Sequence, residues 1–189
     1  TFKNLTFSIQ KGLHYIVSGP NGSGKSTLLA LFVGVLIPEK GTIVNRSLRT
    51  GYVGPNPLII EGSLKENLLF GNNQKINDDK LVSLVKEINL FEDQVDVNLD
   101  MKISNKNLSS GQMQKISFSR IFASNPDLLI LDESTSNLDV ESKFKIIQKI
   151  KTLNNTTIIN STHEPELFDF YDMRIKLDIF EKERRIIIE

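Results

Sequence analysis

The sequence predicts an α/β fold in which a mostly parallel sheet is flanked by helices. Short aliphatic runs at Leu128–Leu131 and Thr157–Ile159 are typical of strands that are buried on both faces. Between them, Val140–Lys151 has apolar residues at helical spacing. Strands that alternate with helices along a chain form parallel sheets with helices on their faces.

The N-terminal residues add two strands and a helix to this prediction. Apolar residues at near-alternating positions from Phe2 to Ile9 predict a strand that ends in a turn at Lys11–Gly12. Tyr15–Val17 predicts a second, short and buried strand. After the glycines that follow, we expect a helix that is stopped by Pro38. The apolar face of this helix is expected to contain Leu28, Leu29, Leu31, Phe32 and Val35.

The middle of the chain predicts a separate helical lobe. Thr42–Val44 and Gly51–Val53 are two short strand candidates, and residues from about 63 to 107 have a helical and polar pattern. A helix begins there with Asn77 or Asp78 as its cap, because both residue types are favoured at that position. Its apolar face is expected to contain Leu81, Leu84, Val85, Ile88 and Phe91.

The C-terminal part completes the predicted sheet. The helix at Val140–Lys151 is expected to place Phe144, Ile147 and Ile150 on one side. After it, Ile175, Leu177 and Ile179 alternate with charged residues and are expected to pair with Ile186–Ile188 in a β-hairpin.

Length and composition indicate one globular domain, residues 1–189, with an α/β core at 1–54 and about 126–189 and a helical subdomain at about 55–125. The formal net charge is zero, so we expect no nucleic-acid partner. The absence of cysteine excludes disulfides and thiolate metal sites. No apolar run is long enough to cross a bilayer, so any membrane connection must come through a partner or another part of the polypeptide.

A glycine-rich loop follows the strand at Tyr15–Val17 and has the sequence Gly19-Pro20-Asn21-Gly22-Ser23-Gly24-Lys25-Ser26-Thr27. Gly22 and Gly24 let successive backbone N–H groups converge on phosphate oxygens. The helix that begins near Lys25 adds the positive end of its dipole. We expect Lys25 to contact the β- and γ-phosphates of a nucleotide and Ser26 to supply a hydroxyl ligand for Mg²⁺.

An acid pair follows the aliphatic run at Leu128–Leu131. A strand that ends there places Asp132 and Glu133 at the carboxyl edge of the sheet, where open α/β folds bind their ligands. We expect Asp132 to hold Mg²⁺ directly or through water. Glu133 is the better candidate to orient and polarise the attacking water in phosphoryl transfer.

Three further segments lie in positions that suggest chemistry. Ser109-Ser110-Gly111-Gln112 begins a predicted helix that runs to Ser124, and its serines and free N–H groups suit an anionic phosphate. Ser136-Asn137-Leu138-Asp139 follows the acid pair, and Asp139 is equally suited to cap the next helix. His163 follows the strand at Thr157–Ile159.

The order of these motifs along nearly the whole chain resembles that of the ATP-binding cassette (ABC) ATPases. In this family the pentapeptide Leu108–Gln112 resembles the signature sequence, residues 136–139 resemble the D-loop, and His163 matches the switch histidine that contacts the γ-phosphate. The resemblance implies a P-loop NTPase (RecA-like) core and a helical subdomain that carries the signature. It also implies a head-to-tail dimer with two ATP molecules, in which each signature binds the ATP of the opposite protomer.

The resemblance also predicts the biological role. The segment Glu61–Gly71 resembles the exporter branch, in which it lies near the coupling helices of the membrane domain. We therefore expect an ATP-hydrolysing motor domain of an exporter that works with a transmembrane domain at the cytoplasmic face of a membrane. Its second nucleotide-binding domain is either an identical or a different chain.

Four departures from the family pattern leave alternatives open. Pro55 stands where the family has its Q-loop glutamine, and Ser110 replaces the middle glycine of the signature. The segment Ile103–Asn107 lacks the glutamate of many exporters, and the place of the adenine-stacking aromatic precedes Thr1. Pro55 and Ser110 favour a regulatory, weakly hydrolysing domain as a second hypothesis. A soluble ABC ATPase of DNA repair or translation is the third hypothesis. Such proteins usually carry coiled-coil inserts or tandem cassettes, and this sequence shows neither.

Overall fold

The computed structural model describes residues 2–91, 96–180 and 183–189. The strands are, in chain order, β1 (His14–Ser18), β2 (Thr50–Val53), β3 (Gly62–Ser63), β4 (Lys102–Ile103), β5 (Leu128–Asp132), β6 (Thr157–Ser161), β7 (Met173–Phe180) and β8 (Glu183–Ile188). The helices are α1 (Lys25–Phe32), α2 (Leu64–Leu69), α3 (Asp78–Glu87), α4 (Ser110–Ser124) and α5 (Val140–Lys151), with a 3₁₀ turn at Pro165–Phe168. Within those described ranges, no helix is both long enough and apolar enough to span a membrane.

The chain divides into two compact units. The sheet unit consists of Thr1–Tyr52, Pro126–Glu133 and Asn154–Glu189. The helical unit consists of Val53–Asn125 and Ser134–Leu153. The second segment of the helical unit contains α5, which we had expected in the α/β core. Each unit is described below by itself.

The sheet has the strand order β2-β5-β6-β1-β7-β8. β5 and β6, β6 and β1, and β1 and β7 are parallel, whereas β7 and β8 form the predicted antiparallel hairpin. The predicted mostly parallel α/β fold is therefore confirmed. Its core in the sheet unit consists of aliphatic and aromatic side chains from β1, α1, β5, β6 and β7, namely Tyr15, Val17, Leu28, Leu29, Leu128, Ile130, Ile159, Ile175 and Leu177. Burial of each large aliphatic side chain contributes about 1.5–3 kcal/mol, so this core fixes the strand ends that follow it.

Two strands that we predicted in the sheet unit do not form. Residues from Phe2 to Ile9 contain only an isolated bridge at Phe2, because Asn4 adopts a left-handed backbone conformation (φ 53°) that interrupts an extended chain. Their apolar side chains pack on the core without a ladder. Within the residues that the structure describes, no strand pairs with Thr42–Val44, and Val44 is 74% exposed.

Helix α1 is shorter than we predicted. It ends at Phe32, and Val35, which we placed on its buried face, is 74% exposed. The chain leaves the helix at Gly34, whose φ of 76° is a conformation that glycine adopts without steric cost. This termination two turns into the helix overrides the apolar pattern that continues toward Pro38.

The helical unit is arranged around α4, against which α2 and α3 pack. Asn77 accepts a hydrogen bond from the N–H of Lys80 and caps α3, as predicted. The segment that we read as wholly helical also contains the antiparallel pair β3 and β4. The guanidinium of Arg120 on α4 donates to the carbonyl oxygens of Asn67 and Leu58, each at 2.6 Å. Burial of this guanidinium lowers the pKa of Arg120 to about 10.

Helix α5 begins and ends as predicted, but Phe144 lies on the wrong side of it. The buried face contains Ile146, Ile147 and Ile150, whereas Phe144 is 63% exposed. Two residues correspond to roughly 200° of helix rotation, so Phe144 and Ile146 face opposite directions.

Candidate active site

The glycine-rich loop joins β1 to α1 in the sheet unit. The N–H of Ser23 donates to the carbonyl oxygen of Pro20 at 3.1 Å, which closes a turn over Asn21 and Gly22. Gly24 precedes α1 with a φ of 100° and carries no side chain that could cap the helix. The first N–H groups of α1 are therefore directed at the space that the loop encloses, which is the arrangement that binds phosphate.

Lys25 lies across this loop. Its ammonium group donates to the carbonyl oxygen of Gly19 at 2.9 Å and to that of Pro20 at 3.3 Å. These are contacts within the loop itself, and they hold a positive charge beside its N–H groups. A lysine in this position can bind phosphate as a point charge.

The carboxylate of Asp132 lies at the end of β5 and contacts α1. Ser26 Oγ donates to Asp132 Oδ1 at 3.2 Å, so two of the predicted ligand oxygens are adjacent. Burial raises the pKa of Asp132, and the neighbouring negative charge of Glu133 adds to this effect. The hydroxyl of Tyr52 also hydrogen-bonds to Asp132. The site therefore concentrates oxygen donors around a carboxylate that is only 4% exposed.

Glu133 and His163 lie together beyond the ends of β5 and β6. In the parallel register Asp132 is opposite Ser161, and the N–H of Glu133 donates to the carbonyl oxygen of Ser161 at 2.8 Å. Glu133 has a left-handed backbone (φ 49°), which is uncommon outside glycine and turns its side chain out of the strand direction. Glu133 Oε1 is 3.0 Å from His163 Nε2, and both side chains reach solvent. The two groups contact each other directly, and both can also contact a water molecule that lies beside the pair.

The tip of α4 carries the predicted signature residues in the helical unit. Ser109 caps the helix by accepting from the N–H of Gln112 at 3.2 Å, and Gln112 Oε1 accepts from the N–H of Ser109 at 2.9 Å. Gly111 lies close to the backbone of Asn137. A Cβ added at Gly111 would be 3.1 Å from the carbonyl oxygen of Asn137. Ser109, Ser110, Gly111 and Gln112 line a cavity of about 520 Å³.

Asp139 has the capping role that we considered for it. Its carboxylate accepts from the N–H of Ser142 at 2.8 Å and from the Ser142 hydroxyl, which lowers the pKa of Asp139. It also lies 3.8 Å from the ammonium group of Lys115 and lines the same cavity as the tip of α4. Asp139 therefore both caps α5 and lies beside the predicted signature residues.

Comparison with known proteins identifies the family. The family model described as ABC transporter matches residues 2–136. The chain belongs to the ABC transporter family. The ATP-binding domains of this family are P-loop ATPases, so ATP is the ligand expected at the glycine-rich loop.

Several curated relatives cover most of the chain. The energy-coupling factor transporter ATP-binding protein EcfA1 of Lactobacillus gasseri is 33% identical over 93% of this chain and 68% of its own length. The ATP-dependent permease MDL1 of Candida albicans is 35% identical over 86% of this chain, which spans 26% of that protein. The molybdate/tungstate import ATP-binding protein WtpC of Thermococcus kodakarensis is 28% identical over 88% of this chain and 53% of its own length.

Pro55 stands where the ABC pattern has a glutamine, so its backbone carbonyl is the hydrogen-bonding group that this residue offers. That carbonyl accepts from Asn137 Nδ2 at 3.2 Å, and the carbonyl of Gly54 accepts from Gln114 Nε2 at 3.1 Å. Amide side chains of α4 and of the loop before α5 therefore hold this segment within the helical unit. Proline itself contributes no side-chain donor.

The structure brings together Ser26, Asp132, Glu133, His163 and the glycine-rich loop within the sheet unit, and it places the signature residues in the helical unit. Two residues beside the site were not predicted from the sequence. Tyr52 contacts Asp132, and Arg184 donates to the carbonyl oxygen of Gly22 at 2.9 Å. Neither contact could be predicted from the sequence, since a tyrosine on a strand and an arginine in a hairpin belong to no recognisable motif.

Proposed function

We propose that this chain is an ATP-hydrolysing motor domain that drives an export-type transporter through ATP-dependent pairing of two such domains. The contact between Ser26 and Asp132, next to the solvent-accessible pair Glu133 and His163, is the observation that carries the proposal. It combines a site for a charged phosphate with groups that can orient water, which are the two requirements of phosphoryl transfer to water.

The nucleotide would lie on the glycine-rich loop. Its phosphates would accept hydrogen bonds from backbone N–H groups and from the ammonium group of Lys25, which now contacts loop carbonyls. The residues proposed to contact ATP in this loop are Gly19, Pro20, Asn21, Gly22, Ser23, Gly24, Lys25, Ser26 and Thr27.

The residues at the end of β5 fit a magnesium ion. Mg²⁺ prefers oxygen ligands and is commonly bound by one or two protein groups together with substrate phosphates. Ser26 and Asp132 provide a hydroxyl and a carboxylate 3.2 Å apart, and the carboxylate is buried. When bound, the ion would neutralise charge on the β- and γ-phosphates.

Glu133 and His163 would act on the attacking water. The carboxylate of Glu133 accepts a proton or hydrogen bond from the water, and His163, 3.0 Å away, holds that carboxylate in place and can contact the γ-phosphate. Lys25 would compensate charge on the transferred group. We therefore propose Glu133, His163 and Lys25 as the catalytic residues of this half-site.

The other half of each site would come from a second nucleotide-binding domain. Ser109, Ser110, Gly111 and Gln112 line an open cavity at a helix N-terminus and would contact the γ-phosphate held by the partner. A transmembrane domain, on the same or a separate chain, would place the pair at the cytoplasmic face of a membrane. The segment Glu61–Gly71 and the similarity to a permease support the export type, although EcfA1 and WtpC are also among the relatives.

A regulatory domain with weak hydrolysis is the second candidate. Two observations favour it: Pro55 offers no side-chain amide toward the site, and Ser110 carries a Cβ where the family has glycine. In this case the chain would bind ATP and associate with a partner whose own site performs most of the turnover.

ATP turnover and sedimentation of the whole chain test the proposal. We expect measurable hydrolysis with Mg²⁺ that falls about 10²–10⁴-fold in Glu133→Gln, because a positioned base contributes about that factor. The Glu133→Gln variant should also sediment as a dimer with ATP and as a monomer without it. Glu166→Gln, an exposed acid in the following 3₁₀ turn, is the matched control and should retain turnover.

The outcomes separate the two candidates. ATP binding with turnover that does not depend on Glu133 would contradict hydrolysis by this chain and favour the regulatory candidate. A sedimentation coefficient that ATP does not change in Glu133→Gln would contradict pairing.

A further inference from the structure

The C-terminal hairpin of β7 and β8 lies against the phosphate loop within the sheet unit. An added Cβ at Gly19 would lie 2.5 Å from the carbonyl oxygen of Leu177 on β7. An added Cβ at Gly24 would lie 3.0 Å from the ring of Phe2 and 3.4 Å from the side chain of Arg184 on β8. A larger side chain therefore does not fit at Gly19, and at Gly24 it would require the side chains of Phe2 or Arg184 to shift.

Arg184 makes a direct contact with the middle of the loop. Its Nη2 donates to the carbonyl oxygen of Gly22 at 2.9 Å, across 162 positions of sequence. Its guanidinium carbon lies 6.0 Å from the centroid of the Phe2 ring, and the backbones of Phe2 and Arg184 form a parallel bridge. The aromatic ring and the backbone bridge therefore fix the guanidinium in front of Gly22.

The contact with Arg184 restrains the orientation of the peptide group between Gly22 and Ser23. The C=O of Gly22 and the N–H of Ser23 belong to the same planar unit and point in opposite directions. Arg184 binds the carbonyl, while the N–H of Ser23 binds the carbonyl of Pro20 at 3.1 Å. The plane is thus held at both ends. Gly22 alone would not hold it, since an added Cβ there would meet nothing within 4 Å and glycine tolerates either orientation of the plane.

We propose that Arg184 is a positioning residue for the phosphate loop, and that it fixes the Gly22–Ser23 peptide so that the following N–H groups face the nucleotide. The inference rests on the proposed function for its substrate, ATP. It also assigns a role in nucleotide binding to the C-terminal hairpin, which carries none of the sequence motifs. The guanidinium acts through the backbone of the loop, so its loss reduces ATP affinity more than the rate of the chemical step.

Arg184→Met tests the proposal, because methionine keeps an unbranched stem but has no donor. In the whole chain we expect the Kd and the KM for ATP to rise about tenfold, which is about 1.4 kcal/mol, while kcat changes less than about twofold. Without nucleotide, the amides of Ser23 and Gly24 should exchange with solvent faster than in the unsubstituted chain. Arg185→Met removes the same charge from the adjacent residue, which follows on the opposite face of β8, and should leave all three quantities unchanged.

Arg184→Lys separates positioning from charge. Lysine keeps the positive charge but lacks the planar group that lies over the Phe2 ring, so we expect an intermediate KM and amide exchange that stays faster. Full recovery of KM together with unchanged amide exchange in both variants would overturn the proposal in favour of a purely electrostatic effect. If the methionine variant does not fold, the lysine variant and its exchange rates still decide between these outcomes.

Failure of this inference is distinguishable from failure of the proposed function. If the unsubstituted chain neither binds nor hydrolyses ATP, the proposed function fails, and exchange of the nucleotide-free loop still reports whether Arg184 holds it. If the unsubstituted chain binds ATP and Arg184→Met binds it with the same Kd, only the role of Arg184 is refuted.

Discussion

The phosphate loop of the sheet unit and the signature tip of the helical unit both place serines and backbone N–H groups at a helix N-terminus, but they satisfy those groups differently. At the start of α1, Gly24 has no side chain, and the N–H groups have no cap from it. At the start of α4, two reciprocal hydrogen bonds between Ser109 and Gln112 already use the backbone N–H groups of these two residues.

For the proposed pair, this difference indicates which half of each ATP site contributes more to ATP affinity. A phosphate that binds the loop meets donors that no capping side chain occupies. A phosphate that binds the tip of α4 meets a helix start at which two N–H groups are already bound within the Ser109–Gln112 capping box. We therefore expect substitutions in the loop to affect binding by one chain, and substitutions at the tip to affect turnover by the pair.

The largest expected effect is that of Lys25→Ala. The substitution removes a charge-assisted contact to phosphate worth roughly 1.5–3 kcal/mol, so the Kd for ATP should rise about ten- to a hundredfold. Titration with a fluorescent ATP analogue measures it. Lys11→Ala, which removes an exposed lysine from the turn before β1, is the control and should not change the Kd. An unchanged Kd in Lys25→Ala would break the assignment of the loop as the ATP site.

An intermediate effect is expected for Ser109→Ala, and the chain contains a matched control. Ser63 caps α2 with the same box, in which its hydroxyl accepts from the N–H of Glu66 at 3.1 Å. Loss of either cap should cost about 1 kcal/mol, which lowers the Tm of a chain of this length by about 2–4 °C. Only Ser109→Ala should also reduce ATP turnover, whereas the Kd for ATP of the separate chain should stay constant. Equal turnover in both variants would contradict a role of the signature tip beyond capping.

The smallest expected effect is a gain in stability from Asp132→Asn. Burial and Glu133 raise the pKa of Asp132, so its ionised form destabilises the nucleotide-free fold, and this penalty disappears as the pH falls through the folded-state pKa. Asparagine removes the charge, so we expect a small rise in the Tm of the nucleotide-free chain near neutral pH. The gain should shrink in thermal unfolding at more acidic pH, and a gain that is independent of pH would contradict this origin.

Much of the fold could be predicted because buried strands leave a strong pattern. Leu128–Leu131 and Tyr15–Val17 are continuous apolar runs, and both form central strands. Two of the failures share one cause, which is that exposed apolar residues can continue the same periodic pattern as buried ones. Val35 and Phe144 continue helical periodicities without being buried, because a glycine ends one helix and the other helix presents a different face.

The candidate site was predictable where residues adjacent in sequence act together. The glycine-rich loop and the Asp132–Glu133 pair belong to this class. Their contacts with Ser26 and His163 follow because β5, β6 and β1 are consecutive parallel strands whose carboxyl ends share one edge of the sheet. The contact of Arg184 with Gly22 depends on how the C-terminal hairpin packs, and no local pattern encodes packing between segments that are 162 positions apart.

Because Asp132 lies opposite Ser161 in parallel register, the phase of two short strands decides which face of the sheet the carboxylate occupies. A single residue inserted into β5 before Asp132 would turn this carboxylate to the other face of the sheet and separate it from Ser26. Divergence among relatives should therefore change the lengths of connections such as residues 34–49 freely, whereas β5 and β6 should accept new side chains but no insertions or deletions.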